Sequence, residues 1–370
     1  MTQKLFITGT MRTGQSQIIN VLSSHSKILI LNDRVHFFRF VYDRYNPLNE
    51  ENLDFLLNDQ KLRLKYRFKI DIDVVAMKEK ILKIGLTYKN IYLTMMEYFK
   101  NIAKKEIWGE AAALQWREIP IFLDFFKDGK VIHVYRDPRG VYASWKKISS
   151  IPNNSHLNCI FNWIDSTNYI FDFKRRFSSE VYYANKYENI NSDPQTNIKK
   201  ITDFIGVELE DILFEPDKWK DKFNPQLVAI PKSAHDGKGI VGFSEKRSFN
   251  WKKNLEDWEI CLIDYLCGNN MRKLGYEIIY ENIDQSNPLL IKGLSEIKKN
   301  RFVFENYKRF IKNGEGINKY PTDPTDPRNW GQPSNPSAWF VESELARDYY
   351  QELAISSKKI MEKHMAIKVE

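Results

Sequence analysis

At 370 residues, 42% of them hydrophobic and 14% aromatic, the chain can bury a large core, and 28% charge with a mean hydropathy of −0.51 excludes a protein built of apolar membrane helices. No apolar run reaches the ~18 residues that a spanning helix needs, and the first ten residues lack the pattern of an export signal, so a cytoplasmic protein with no membrane partner is expected. A net charge of +8 suits a polyanionic ligand, but the basic residues are scattered without an aromatic-interleaved stripe, which argues against nucleic acid as a partner.

In chain order, residues 4–8 predict a short buried strand and residues 15–24, with Ile18, Ile19, Val21 and Leu22, an amphipathic helix. The turn between them, Gly9 to Gly14, is where chemistry is expected. Strands follow at 28–31, 106–108, 131–135 and 181–185, separated by stretches of helical period. Such alternation implies a mostly parallel sheet covered on both faces. Residues 45–105 place Ile91, Met95, Met96 and Phe99 at helical spacing, which predicts core-facing helices that can also cap a substrate. Beyond residue 276 the character changes: 320–337 are rich in Pro, Asp, Asn and Gly and predict an irregular strap, followed by a helix near 342–363. The expected fold is therefore α/β and three-layered, with a main domain over 1–280, a helical substrate insertion over about 45–105, and a C-terminal extension over 281–370. Cys159, Cys261 and Cys267 form no C-x-x-C pair and predict idle thiols in a reducing compartment.

The turn reads Gly9-Thr10-Met11-Arg12-Thr13-Gly14-Gln15-Ser16 between a strand and a helix, where backbone N–H groups and the helix dipole hold a phosphate. Its glycines have the spacing of a nucleoside-triphosphate loop, but Gln15 stands where that chemistry needs a Lys. Arg12 supplies a different cation, whose planar fork suits a phosphate. The second motif, Val131-Ile132-His133-Val134-Tyr135-Arg136-Asp137-Pro138-Arg139-Gly140-Val141-Tyr142-Ala143-Ser144, runs from a buried strand through a Pro into a helix. Arg136 at the strand end and Ser144 two helical turns on can converge on one anion.

Together these segments resemble the sulfotransferases that use 3′-phosphoadenosine 5′-phosphosulfate (PAPS). Their first loop reads P-K/R-S/T-G-T-T/S; Arg12, Thr13, Gly14 and Ser16 match it, while Met11 and Gln15 depart. The second motif resembles their R-D-P-R-D-V-x-x-S, in which the Arg and Ser bind the 3′-phosphate. Lys186-Tyr187-Glu188-Asn189-Ile190 with Asp193-Pro194 resembles their R-Y-E-D-L…D-P, whose Tyr lies against adenine. Arg247-Ser248 with Trp251, and later Leu274-Gly275-Tyr276, resemble the terminal basic loop and L-G-Y of bacterial members. The resemblance spans about residues 4–277. It implies a P-loop-like site in which Arg12, Thr13, Gly14, Gln15, Ser16, Gln17, Arg136, Ser144, Tyr187, Arg247 and Ser248 hold PAPS, with 3′-phosphoadenosine 5′-phosphate (PAP) as product, a small-molecule hydroxyl or amine as acceptor, and no metal.

For the general base the resemblance leaves alternatives. Asp33 lies at the offset from Arg12 where tyrosylprotein sulfotransferases carry a Glu, and the end of the second strand would place it beside the first strand's loop. His36 in Val35-His36-Phe37-Phe38 is the second candidate and Glu110 the third; Arg34, at the position used by heparan sulfate enzymes, cannot act as a base. After Trp108-Gly109-Glu110 the family's K-T-P is replaced by Ala111-Ala112-Ala113, with Lys238 as a possible substitute cation. The rivals are a P-loop nucleotide kinase, which would require magnesium, and a non-catalytic nucleotide- or nucleic-acid-binding module.

Overall fold

The computed structural model describes residues 3–32, 34–68, 70–147, 155–219, 242–314 and 316. Five strands, β1 (Lys4–Gly9), β2 (Ile28–Asn32), β3 (Ile107–Ala111), β4 (Lys130–Tyr135) and β5 (Tyr182–Lys186), pair in parallel in the order β2-β3-β1-β4-β5. β1, β2 and β4 are largely apolar because both faces of the sheet are covered. On one face Leu5, Ile7, Ile132 and Val134 pack with α1 (Gln15–Ser24) and α10 (Pro194–Ile205). On the other, Phe6, Leu29, Leu31 and Val131 pack with α5 (Tyr88–Ala103) and α6 (Ile119–Phe125).

The third strand begins one residue later than expected and runs on through Gly109-Glu110-Ala111. Those residues are poor strand formers, but β1 and β2 offer backbone partners on both sides, and tertiary pairing overrides propensity. This strand also corrects a topological expectation. β3 lies between β1 and β2, so the end of β2 is not beside the first strand's loop but two strand spacings away, roughly 10 Å.

Within 45–105 the chain forms α3 (Glu50–Phe68), α4 (Val74–Ile84) and α5, after a short α2 (Phe37–Phe40). Ile91, Tyr92, Met95, Met96 and Phe99 of α5 are fully buried against Trp108 and Phe6, so α5 is a core-covering crossover between β2 and β3. Beyond β4 come α7 (Pro138–Lys146), α8 (Asn158–Arg176) and α9 (Tyr187–Ser192). After residue 242 come α11 (Glu245–Ser248), α12 (Asp257–Lys273), α13 (Pro288–Lys299) and α14 (Arg301–Asn313). Leu290 and Ile297 of α13 and Val303 of α14 share a core with α8 and α12, so this first part of the expected extension packs into the main body. The strap at 320–337, the helix near 342–363 and Lys238 lie outside the described residues. Cys159, Cys261 and Cys267 are buried free thiols.

Candidate functional site

Parallel pairing of β1 with β4 sets Gly9 beside Val134, so the loops that leave these strands emerge side by side at the carboxyl edge of the sheet. The chain goes one way from β1, to β2 and β3, and crosses to the other side for β4 and β5. That reversal is the switch point where α/β sheets bind ligands. It brings Arg12 and Arg136 together across more than a hundred residues of sequence.

In the first loop Thr13 Oγ1 donates to the Thr10 carbonyl at 2.7 Å and Gln15 Nε2 to the same oxygen at 3.3 Å, so both side chains stiffen the loop. Gly14 sits at φ +91, and a Cβ there would stand 2.1 Å from the Tyr187 ring; only glycine lets the loop approach this closely. Ser16 is exposed on the first turn of α1, and Gln17 exchanges two 3.1 Å hydrogen bonds with Asn191, tying α1 to α9. Arg12, at φ 71, turns its side chain across the sheet edge. Its Nε donates to Ser144 Oγ at 2.8 Å.

Arg136 leaves the end of β4 and lies 4.4 Å over the Tyr187 ring, with Nη2 donating to the Arg247 carbonyl at 2.9 Å and Nη1 near the Arg12 carbonyl at 3.4 Å. Asp137 caps α7 by accepting from Arg139 N, and it holds the Arg139 guanidinium at 2.8 Å, which in turn stacks 3.9 Å over Trp251. The D-P-R of the motif therefore builds the helix start that presents Ser144. Arg12, Arg136, Ser144 and Tyr187 converge on one cradle, which the Arg247 carbonyl joins through Arg136; Gln15 and Gln17 direct their side chains into the scaffold.

The electrostatics of the cradle favour an anion. Burial, with the neighbouring Arg136 guanidinium adding to it, pushes the Arg12 pKa down. Arg136 Nε and Ser248 Oγ are buried without a hydrogen-bond partner among the described residues, and so is Thr10 Oγ1 in the loop. An unmet buried donor costs about 1–3 kcal/mol. The two guanidiniums, from Arg12 and Arg136, give the cradle the charge to hold an anion.

The acceptor-side candidates separate. Asp33 lies outside the described residues, between Asn32 of β2 and Arg34. Glu110 is fully buried on β3; its carboxylate accepts from Tyr92 OH at 2.6 Å and from Phe37 N at 3.1 and 3.3 Å. Burial pushes its pKa up to about 7 against these bonds. With both oxygens engaged inside the core, Glu110 anchors the turn that carries His36 rather than facing a substrate. His36 is buried at φ 49, at the start of α2, its ring edge-on to Phe40 at 5.5 Å. Sequence reasoning passed over Glu188 and Asn191. Glu188 accepts from Asp137 N at 2.9 Å and Asn191 accepts from Ser244 N at 3.0 Å, and their only signal was proximity to Tyr187. No cluster of metal-ligating side chains occurs among the described residues, and no helix there is long and apolar enough to cross a membrane.

The sequence profile of the sulfotransferase family matches residues 4–211. Among solved structures the chain is similar to the sulfotransferase domain of the Synechococcus PCC 7002 olefin synthase, at 19% identity and a TM-score of 0.51, over 74% of this chain and 95% of that one. It is also similar to the sulfotransferase domain of the curacin biosynthetic pathway, at 18% identity and a TM-score of 0.50, over 75% and 99% of the two chains. At these identities the likeness concerns the fold. No curated protein sequence matches.

Proposed function

The chain belongs to the sulfotransferase family, and from it we propose that the protein transfers a sulfuryl group from PAPS to a hydroxyl or amine of a small molecule. The observation that carries the donor assignment is the cradle in which Arg12 and Arg136, from two strand ends, meet Ser144 and the Arg247 carbonyl beside the Tyr187 ring.

When bound, PAPS supplies the sulfuryl group: its S–O bond to the 5′-phosphate breaks as the bond from sulfur to the acceptor oxygen or nitrogen forms, and the acceptor loses its proton. Arg12 and the loop N–H groups stabilise the negative charge that grows on the leaving phosphate; removing such a preorganised donor costs roughly 3–4 kcal/mol of barrier. Arg136, Ser144 and Ser248 hold the 3′-phosphate, and Tyr187 lies against adenine. His36 takes the acceptor's proton. What supports His36 is that Glu110, on the strand next to β1, ties the His36 turn to the sheet edge; Asp33 is the alternative that paired variants test. With Ala111-Ala112-Ala113 in place of the family's K-T-P, Arg12 is the cation assigned to the reacting group.

A nucleotide kinase is disfavoured because Gln15 occupies the lysine position of the triphosphate loop and spends its amide on the Thr10 carbonyl. The deciding experiment is an acceptor screen with labelled PAPS in the presence of EDTA, read by mass spectrometry for a gain of SO₃. Transfer in EDTA supports the sulfotransferase; phosphoryl transfer from ATP that magnesium restores supports the kinase.

A further inference from the structure

The segment Leu274-Gly275-Tyr276, at the end of α12, plays no part in the reaction, yet its contacts run straight to the nucleotide cradle. Gly275 at φ +71 turns the chain sharply, with Tyr276 N returning to the Met271 carbonyl at 2.9 Å, and this points the Tyr276 ring back at β5. Lys186, the last residue of β5, donates to the Leu274 carbonyl at 3.2 Å and sets its ammonium 4.0 Å over the Tyr276 ring. Tyr276 OH donates to Glu188 Oε2 at 3.0 Å, and Glu188 Oε1 accepts from Asp137 N at 2.9 Å. The two residues flanking Tyr187 thus both grip the turn. One of them, Glu188, also holds the backbone of the residue that follows Arg136.

We infer that Glu188 and Tyr276 form a clamp that sets nucleotide affinity from outside the nucleotide cradle, by fixing Tyr187 and Arg136 relative to one another; the inference rests on the donor assignment above. Tyr187 and Arg136 face each other at 4.4 Å, and they come from separate segments, α9 and the end of β4. A single carboxylate with one oxygen on each side spans them, so neither segment moves without breaking a charge-assisted hydrogen bond. The clamp has a second consequence. Glu188 is an acid beside a site for phosphate, and donors engage both of its oxygens, as Arg139 engages Asp137. Both are positioning residues, since the Tyr276 hydroxyl and both Glu188 oxygens are engaged by protein groups.

Calorimetric titration of PAP into the wild-type chain and into Tyr276→Phe, Glu188→Gln and Glu188→Ala, each with its melting temperature, tests the clamp. Loss of one hydrogen bond predicts PAP affinity about 5-fold weaker for Tyr276→Phe, and loss of the carboxylate about 10- to 100-fold weaker for Glu188→Ala. Glu188→Gln, which keeps an acceptor for Asp137 N, falls between them. A lower melting temperature with wild-type PAP affinity, measured well below the transition, would show a merely structural role and overturn the clamp. If Glu188→Ala does not fold, Tyr276→Phe decides alone. Failure of the wild-type chain to bind PAP removes the donor assignment, and the clamp with it, whereas wild-type binding with an unchanged Tyr276→Phe removes the clamp only.

Discussion

Arg12 Nε donates to Ser144 Oγ at 2.8 Å, joining the first phosphate loop to the second motif across a sequence separation of 132 residues. One residue is proposed for the 5′-phosphate end of the donor and the other for the 3′-phosphate, and the contact supports reading the two motifs as one site. Replacing Arg12 with Ala is expected to cut turnover by about 10²- to 10³-fold. The melting temperature is read beside turnover, because loss of the part-buried hydrogen bond to Ser144 costs about 0.5–1.5 kcal/mol of stability, far less than the expected loss of catalysis. Turnover close to wild type in a folded Arg12→Ala variant would remove the loop from the mechanism.

Donor choice should depend on the second motif. Arg136 and Ser144 predict tighter binding of PAPS than of adenosine 5′-phosphosulfate, by about 1.5–3 kcal/mol for each charge-assisted contact to the 3′-phosphate. Ser144→Ala should narrow that gap without abolishing it. Equal affinity of the wild-type chain for the two donors, by calorimetry, would refute the 3′-phosphate assignment.

The base assignment is tested by a pair of variants at saturating donor. His36→Gln is expected to keep PAP affinity while lowering turnover by about 10²- to 10⁴-fold, and Asp33→Asn to remain active. The opposite pattern, an inactive Asp33→Asn beside an active His36→Gln, assigns the proton to the carboxylate.

Glu110 makes a prediction about stability and pH. Burial raises its folded pKa from 4.5 to about 7, so the folded state holds a proton that the unfolded state has released. Between those two values the unfolded chain binds fewer protons, and the Glu110 contribution to stability falls as pH rises, levelling off above about 7. The stability of wild type minus that of Glu110→Gln, from denaturant titrations, should therefore decline from pH 5 to pH 7 and be flat beyond pH 8. A difference that is flat from pH 5 to pH 7 would show that the carboxylate is held charged in the fold.

The three cysteines should be inert while the protein is folded. Burial raises the pKa of Cys159, Cys261 and Cys267 alike, and the thiolate is the reactive form. Alkylation followed by mass spectrometry should label all three together, and only under unfolding conditions. Rapid labelling of one thiol in the native state would contradict the packing of α8 against α12.

What the sequence by itself determined was local. The strand–loop–helix of residues 4–24 was legible because apolar period and glycine placement act within a few residues, and helix α1 has the bounds that its pattern predicts. The cation at Arg12, the strand-end Arg136 and the helix start at Pro138 were legible for the same reason. Only the tertiary structure decided what lies beside what. Glu110 read as a possible base until its neighbours Tyr92 and Phe37, from two other elements, engaged both its oxygens. The end of β2 seemed close to the first loop until β3 came between β1 and β2. Gln17 looked like a ligand contact, and its partner Asn191 stands 174 residues away. Hydrogen bonds and strand order are settled by which segments the folded sheet brings within about 3 Å of each other, and spacing along the chain holds no measure of that distance.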